Sequence, residues 1–252
     1  MSATGLVLTA LAGLAAGLVN ALAGGGTLIS FPALTALGLP PLVANLTNTV
    51  ALTPGYLGAA WAQRRDLLGQ GKRGRWLVPA AALGGLGGGL LLLVSDERLF
   101  TALVPWLILW GSALLALQDR LRGWLGAWST VSGIQGVPPL AAVAVTLAAV
   151  YGGYFGAGLS VILLAVLALT LEDSLTRLNG LKQLLALAAN LSAALVFLAS
   201  GRVAGSRALA LGWGAVAGGA WGGGVASRVN GEALRWLVVA LGTGVGVVLL
   251  LR

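Results

Sequence analysis

The chain has 252 residues with 58% hydrophobic and 9% charged side chains, whereas soluble domains carry about 25% charged residues. This composition excludes an ordinary soluble domain and indicates a polytopic helical membrane protein. The sequence contains neither Cys nor His, which excludes disulfides, thiolate chemistry and the commonest proton shuttle. We interpret the net charge of +8 as membrane topology, because Lys and Arg mark cytoplasmic loops, and we infer no nucleic-acid partner.

The first apolar segment, residues 4–38, is interrupted by Gly24, Gly25 and Gly26. A hydrocarbon core of about 30 Å needs about 20 helical residues, and the run after the glycines is too short for that. Consecutive glycines also disfavour a helix interior by about 1 kcal/mol each relative to Ala. We therefore predict a re-entrant hairpin broken inside the membrane, where such backbone must be buried in protein or line a cavity. A hairpin that crosses the bilayer completely remains the alternative.

The first half of the chain, residues 1–135, continues with three predicted transmembrane helices. They cover residues 42–63, 76–95 and 99–118. The loop 64–75 carries five basic residues against one acidic residue, which predicts that it faces the cytoplasm.

The second half, residues 136–252, repeats this order. It begins with another glycine-broken hairpin, residues 137–171, which contains Gly156 and Gly158. Three further transmembrane helices are predicted at residues 175–200, 208–226 and 234–251. The two breaks correspond at an offset of 132 residues (156 − 24). Paired breaks at matching places in two halves point to the binding site of a transporter.

The number of crossings predicts how the two halves are oriented. Each half has one re-entrant hairpin and three crossings, and because three is odd, the second half is inverted relative to the first. With the loop 64–75 inside, ten basic residues lie in cytoplasmic segments and four in outer segments, which agrees with this orientation. We therefore predict an all-α polytopic membrane protein with two inverted repeats, each a glycine-broken re-entrant hairpin plus three transmembrane helices.

The sequence resembles the TauE/SafE family of sulfite exporters, also called TSUP. The resemblance covers essentially the whole chain and rests on both glycine-rich breaks, the segments that follow them and the basic loop. Its motifs are Gly24-Gly25-Gly26, residues 28–32, 37–41 and 43–49, the loop after Arg64, residues 153–158, and Arg177-Leu178-Asn179. Lys182 has no counterpart in the family pattern, so the identity of the substrate is not carried over.

The resemblance implies a secondary transporter of a small sulfur-containing anion, such as sulfite, a sulfonate or a thiosulfate-like species. Such a protein is not an enzyme, carries no cofactor, works by alternating access and lies in the bacterial cytoplasmic membrane. A transporter or channel for another small organic or inorganic anion remains the alternative. The direction of transport and the oligomeric state are not predicted.

The helix breaks supply the first set of candidate binding residues. The unpaired N–H groups at the start of a helix carry about +0.5 of partial charge, which attracts anions. We predict that the backbone around Gly25, Gly26 and Thr27, and around Ala157 and Gly158, binds the anion. The alternative is that these glycines only permit close helix packing, which is our interpretation of residues 84–89 and 218–224.

Polar residues on two predicted helices supply the second set. Helical spacing places Asn45, Asn48 and Thr49 on one face, and it does the same for Asn179, Lys182 and Gln183. The first group could donate hydrogen bonds to an oxyanion, or only link helices. Lys182 lies within a predicted span, where a cation is a functional hypothesis by default, although snorkelling to the interface is the alternative.

The sequence places no Asp or Glu in the middle of a predicted span. A relay of protons through side chains is therefore not predicted, and if protons are the coupling ion, they travel on the substrate itself. Ser160 and Lys182 form the only Ser–Lys pairing we considered for an intramembrane enzyme. The absence of a metal-ligand set or a carboxylate dyad makes that interpretation the weaker one.

Overall fold

The computed structural model describes residues 3–22, 25–128, 139–225 and 231–251, and these residues form helices joined by short connections. The described part of the chain contains ten helices. They are α1 Ala3–Leu22, α2 Thr27–Ala36, α3 Pro41–Ala62, α4 Gly71–Val94, α5 Glu97–Trp128, α6 Pro139–Tyr154, α7 Leu159–Thr170, α8 Leu175–Ala199, α9 Gly205–Val225 and α10 Gly231–Leu250. Gly24, residues 129–138 and residues 226–230 lie outside the described residues, so the predictions made for them stay untested.

Five of the described helices are long and apolar enough to cross a membrane, namely α1, α4, α5, α8 and α10. The chain is therefore an all-α polytopic membrane protein, as its composition predicts. Many large apolar side chains are exposed on the outer surface, including Leu83, Trp106 and Trp213, which is the arrangement a lipid environment requires.

The helices that follow the breaks are short. α2 has 10 residues and α7 has 12, which correspond to about 15 and 18 Å of helix. Each therefore extends over about half of a hydrocarbon core of about 30 Å. Four-residue turns, 37–40 and 171–174, connect them to α3 and α8. The two extra residues of α7 explain why the offset between the halves is 134 at the starts of α3 and α8 (175 − 41) rather than 132.

Two helix ends differ from the predicted bounds by five residues or more, and α9 and α10 each begin three residues before the predicted start. α4 begins at Gly71, within the predicted loop 64–75, so Lys72, Arg73 and Arg75 belong to its first turns. α5 continues to Trp128, ten residues past the predicted end at 118. Long basic side chains permit both extensions, because they keep their charges in water while their helix leaves the hydrocarbon region.

Glycines form the tightest helix contacts. A Cβ atom at Gly13 or Gly17 of α1 would overlap the carbonyl oxygen of Leu211 or Ala215 of α9, respectively. A Cβ atom at Gly84 or Gly88 of α4 would overlap the carbonyl oxygens of α6 in the same way. These backbones touch as in small-xxx-small pairs of membrane helices. The packing interpretation is confirmed for Gly84, Gly85, Gly88, Gly89 and Gly218. It is wrong for Gly87, where a Cβ atom would meet nothing within 4 Å, and it stays a prediction for residues 222–224.

The register of these contacts gives the helix directions. Gly13 faces Leu211 and Gly17 faces Ala215, so α1 and α9 run parallel. Gly84 faces Thr146 and Gly88 faces Val150, so α4 and α6 also run parallel. Gly85 faces Ala189 and Gly89 faces Ala193, so α4 and α8 run parallel as well. Because the short loop 200–204 reverses the chain between α8 and α9, α1 and α6 run in opposite directions. These directions favour hairpins that enter from opposite sides, and the full inverted repeat remains a prediction.

Candidate functional site between the two helix breaks

Residues of both helix breaks line one small cavity. Its lining consists of Asn20, Gly25, Thr27, Tyr56, Leu115, Gly156, Gly158, Leu159, Ser160 and Val161. The free space is about 10 Å³, roughly what one water molecule needs. The structure thus brings the starts of the half-helices α2 and α7 together, although they lie more than a hundred residues apart in the sequence.

The start of α2 is fixed by its own neighbours. Gly25 has a φ of 98°, a left-handed conformation that favours glycine, and its peptide lies against the Leu115 side chain of α5. The Gly26 N–H donates to Asn20 Oδ1 over 3.4 Å, so this predicted anion donor already has a partner within the protein. Gly26 itself lies outside the cavity lining, because it packs against the carbonyl of Ala16.

The start of α7 leaves more backbone donors available. Gly158 has a φ of 78° and lies against Leu114 of α5, while the Leu159 N–H bonds to the Gly156 carbonyl. The N–H groups of Gly158 and Ser160 have no backbone acceptor among the described residues. Ala157 is fully buried against α5, and its carbonyl accepts a hydrogen bond from the Tyr151 hydroxyl, which indicates a packing role.

Three residues with hydroxyl side chains line the cavity, namely Thr27, Tyr56 and Ser160. Among these three residues, the sequence predicted only Thr27 as a binding residue. Tyr56 and Ser160 were not predicted to bind the anion, and neither was Asn20, which also lines the cavity. The Tyr56 hydroxyl hydrogen-bonds to the Asn20 side chain, which joins the middle of α3 to the end of α1. Two signals were available for these residues, because Asn20 lies four residues before Gly24 and Ser160 lies two residues after Gly158.

The polar group on α3 divides into different roles. Asn48 accepts from Ser30 Oγ and donates from Nδ2 to Thr27 Oγ1 over 3.4 Å. With this amide orientation Thr27 Oγ1 acts as an acceptor, and its own proton has no acceptor among the residues that the structure describes. Asn45 instead donates to the Tyr154 carbonyl over 2.8 Å, and Thr49 donates to the Asn45 carbonyl within α3. Neither of these two lines the cavity.

The polar group on α8 forms a separate chain of hydrogen bonds. Lys182 is buried, with 6% of its surface exposed, and its Nζ donates to Asn179 Oδ1 over 2.6 Å. Asn179 Nδ2 donates in turn to Gln63 Oε1 at the end of α3 over 2.7 Å. The half-buried Gln183 belongs to neither the chain nor the cavity lining. Gln63 is seven residues beyond Tyr56, so this cluster lies about 10 Å along α3 from the cavity.

The family model of the sulfite exporter TauE/SafE matches residues 9–249. The chain belongs to the TauE/SafE family. A similar protein is the "Probable membrane transporter protein" of Haemophilus influenzae, 35% identical over 100 residues. That match covers 38% of this chain and 38% of the relative. No solved structure matches the chain.

In this TauE/SafE chain the lining of the cavity contains polar groups but no ionic side chain. Its ten residues are three with hydroxyls, one Asn, three glycines and the apolar Leu115, Leu159 and Val161. Within the lining, the starts of α2 and α7 are the sources of positive potential, each with a partial charge of about +0.5. Such a lining can stabilise an anion through dipoles and hydrogen bonds without a cation in direct contact.

Proposed function

We propose that this TauE/SafE protein is a secondary transporter that moves a small sulfur-containing anion, such as sulfite, a sulfonate or a thiosulfate-like species. The observation that supports this proposal is the convergence of α2 and α7 on one cavity. Two positive helix ends aimed at one point are suited to a negative ligand, and discontinuous helices of transporters use this arrangement. The protein acts in the bacterial cytoplasmic membrane, with the loop 64–75 on the cytoplasmic side.

The donors around the cavity fit a compact oxyanion. The hydroxyls of Thr27, Tyr56 and Ser160 approach from three different helices, and the N–H groups of Gly158 and Ser160 add two backbone donors. An anion whose oxygens project in several directions can accept from all of them at once. Hydrogen bonds to charged groups contribute about 1.5–3 kcal/mol each, so the loss of one donor is measurable as a loss of affinity.

The packing of the hairpins supports the proposed alternating access. A cavity of about 10 Å³ is smaller than the anion, so the site must widen for loading. The backbones of α1 and α9 touch, as do those of α4 and α6, so each hairpin moves as one body with its partner helix. Relative motion of these two bodies opens the cavity first to one side and then to the other.

Proton coupling, where it occurs, depends on the substrate in this proposal. The cavity lining contains no carboxylate that could carry a proton. A weak acid can enter the site with its own proton bound, which links transport to the pH gradient. Transport into liposomes that shows no dependence on pH would contradict this part of the proposal.

Ser160 is not assigned an enzymatic role, because the Lys182 ammonium binds Asn179 and does not line the cavity.

Thermal unfolding in the presence of anions tests the proposal directly. The purified protein is heated with sulfite, thiosulfate, sulfoacetate, taurine, sulfate or chloride. A ligand at a hundredfold excess over its Kd stabilises the protein by about 2.7 kcal/mol, so one sulfur oxyanion should raise Tm clearly above the others. Thr27→Val should weaken its binding about tenfold or more, because the change removes a hydroxyl while keeping the shape of the side chain.

Thr49→Val is the matched control. The Thr49 hydroxyl donates only within α3 and lies outside the cavity, so this variant should bind the anion within twofold of the wild type. If no anion raises Tm, or if both variants lose affinity equally, the cavity is not the binding site. Uptake of the selected anion by proteoliposomes then distinguishes a transporter from a protein that only binds it.

A further inference from the structure

A second cavity lies away from the helix breaks, between the starts of α4 and α8. It has a volume of about 600 Å³, much larger than the cavity between the breaks, and half or more of its lining is polar. Lys72, Arg73 and Arg75 contribute from the first turns of α4, and Asp173 and Arg177 from around the start of α8. We call it the basic pocket, because four cations face one carboxylate.

The charges of the basic pocket are unequally compensated. Arg73 and Arg177 both form ion pairs with Asp173, with nitrogen–oxygen distances of 2.5 and 2.9 Å. These three side chains therefore hold one another in position. Lys72 and Arg75 are exposed and form no ion pair with any residue that the structure describes. The start of α4 adds the partial positive charge of a helix N-terminus. The pocket therefore combines an ion-paired group with two cations, Lys72 and Arg75, that no described carboxylate neutralises.

An apolar stripe continues from the pocket along α4. Trp76 belongs to the pocket and is 67% exposed, and Leu83, two turns further along the same face, is 65% exposed. Leu86 and Leu90 extend the stripe towards the far end of the helix. Trp is favoured where hydrocarbon meets water, so Trp76 marks the depth at which the pocket opens onto the membrane.

We propose that the basic pocket binds the phosphate of an anionic phospholipid whose acyl chain lies along the stripe of Trp76, Leu83, Leu86 and Leu90. Charge complementarity supports the headgroup contact, since basic pockets at the cytoplasmic ends of membrane helices attract anionic lipid headgroups. The stripe favours a lipid over free phosphate, because a soluble anion gains nothing from exposed apolar side chains beneath its site. Lys72 and Arg75 make the ionic contacts, and Asp173 holds the other two cations in place.

Native mass spectrometry of the detergent-purified protein tests this proposal. The protein is titrated with phosphatidylglycerol, and the number of retained lipids is counted at each concentration. A cation near a lipid headgroup contributes about fivefold in affinity, so Lys72→Gln/Arg75→Gln should weaken the tightest binding step about 25-fold. Phosphatidylcholine, which has the same chains but no net charge, should bind weakly to both forms.

The control pair is Arg64→Gln/Arg65→Gln, which removes two exposed cations outside the pocket, from the connection between α3 and α4. It should keep phosphatidylglycerol affinity within twofold. Equal losses in both pairs would show that only the general positive charge of this end attracts lipid, and would overturn the proposal. Leu83→Gln leaves all the charges in place and should also weaken lipid binding, as expected if the chain lies on the stripe.

Soluble headgroup analogues distinguish a lipid from free phosphate. Inorganic phosphate and glycerol phosphate carry the charge without the acyl chains, and neither should displace phosphatidylglycerol at millimolar concentration. If either displaces it, the pocket is a site for a soluble phosphate and the lipid proposal is wrong. The measurement detects binding without transport, so its outcome is independent of the function proposed for the cavity between the breaks.

Discussion

Arg73 and Arg207 occupy equivalent places and make equivalent contacts in the two halves of the protein. Arg73 is the third residue of α4, and its Nη2 donates to the Glu172 carbonyl just beyond the end of α7 over 2.6 Å. Arg207 is the third residue of α9, and its Nη2 donates to the Leu37 carbonyl just beyond the end of α2 over 3.4 Å. Each arginine thus ties the half-helix of the other half to a long helix of its own.

The two arginines have different second partners. Arg207 also donates to the Gly5 carbonyl and to Thr9 Oγ1 of α1, over 2.7 and 2.6 Å, so it is held by neutral acceptors. Arg73 is held by the Asp173 carboxylate. Burial acts to raise the pKa of that carboxyl, but the hydrogen bonds from Arg177 and Arg73 outweigh burial and hold the pKa below its ordinary value.

Asp173→Asn should destabilise the protein in a pH-dependent way. A carboxyl whose pKa is lowered on folding stabilises the fold above its ordinary pKa, and this contribution is lost as the pH falls through the lowered value. At pH 7 the variant should unfold about 2–4 °C below the wild type, which corresponds to about 1 kcal/mol for partly exposed pairs. The difference in Tm should shrink in acid, where the wild-type carboxyl becomes protonated.

Asp66→Asn is the control for this measurement. Asp66 lies on the same predicted side and forms no ion pair with a described residue, so its removal should leave Tm nearly unchanged at every pH. A difference between Asp173→Asn and wild type that persists unchanged in acid would contradict the ion-pair explanation.

The sequence was sufficient to predict the elements that depend on local composition. Hydropathy and glycine placement predicted two broken segments, and the short lengths of α2 and α7 agree with breaks inside the membrane. The basic loop after Arg64 was visible as a charge cluster. Its end was not, because the basic residues of the first turns of α4 look like loop residues in the sequence. One of them, Arg73, contacts Glu172 and Asp173, about a hundred residues away.

The cavity itself could be predicted only in part. Repeat matching indicated that Gly25 and Gly158 belong to one site, but Tyr56 carried no signal beyond being a polar aromatic within a span. Its inclusion depends on the crossing of α3 with the end of α1, where it bonds to Asn20. Conversely, Asn45 has the same residue type as Asn48 one turn away, yet it contacts the end of α6 instead of the cavity.

Gly88→Ala and Gly87→Ala, two adjacent substitutions in α4, should differ sharply in effect. A Cβ atom at Gly88 would overlap the Val150 carbonyl oxygen of α6, whereas a Cβ at Gly87 meets nothing within 4 Å. Gly88→Ala should destabilise the protein by about 1–3 kcal/mol through overpacking, seen as a lower Tm in detergent. Gly87→Ala should be neutral or slightly stabilising, because alanine favours the helix. Similar Tm values for the two variants would contradict the backbone contact.

Asn48→Ala should lower anion affinity, whereas Asn45→Ala should lower only the stability of the protein. Asn48 orients the Thr27 hydroxyl at the cavity, so Asn48→Ala should weaken anion binding about threefold to tenfold, the worth of roughly one hydrogen bond. Asn45→Ala frees the Tyr154 carbonyl, which should lower Tm while leaving anion affinity within twofold. Isothermal titration with the best anion gives both affinities. Equal affinities for the two variants would remove Asn48 from the binding machinery.

Lys182 should raise anion affinity from a distance, without contact. Lys182 is the eighth residue of α8, as Asn48 is the eighth residue of α3. Its ammonium, however, donates a hydrogen bond to Asn179, which in turn donates to Gln63. Two unit charges about 10 Å apart at an effective dielectric constant of about 20 interact by about 1.7 kcal/mol. Lys182→Gln should therefore raise the Kd of the anion about 10- to 20-fold, measured by isothermal titration, while the glutamine still donates a hydrogen bond to Asn179.

Two variants serve as controls. Lys182→Arg keeps the charge and should retain most of the affinity. Arg64→Gln removes an exposed and solvent-screened cation, so its affinity should stay within twofold of the wild type. If Lys182→Gln binds the anion as tightly as the wild type, the buried cation serves only to join α8 to the end of α3.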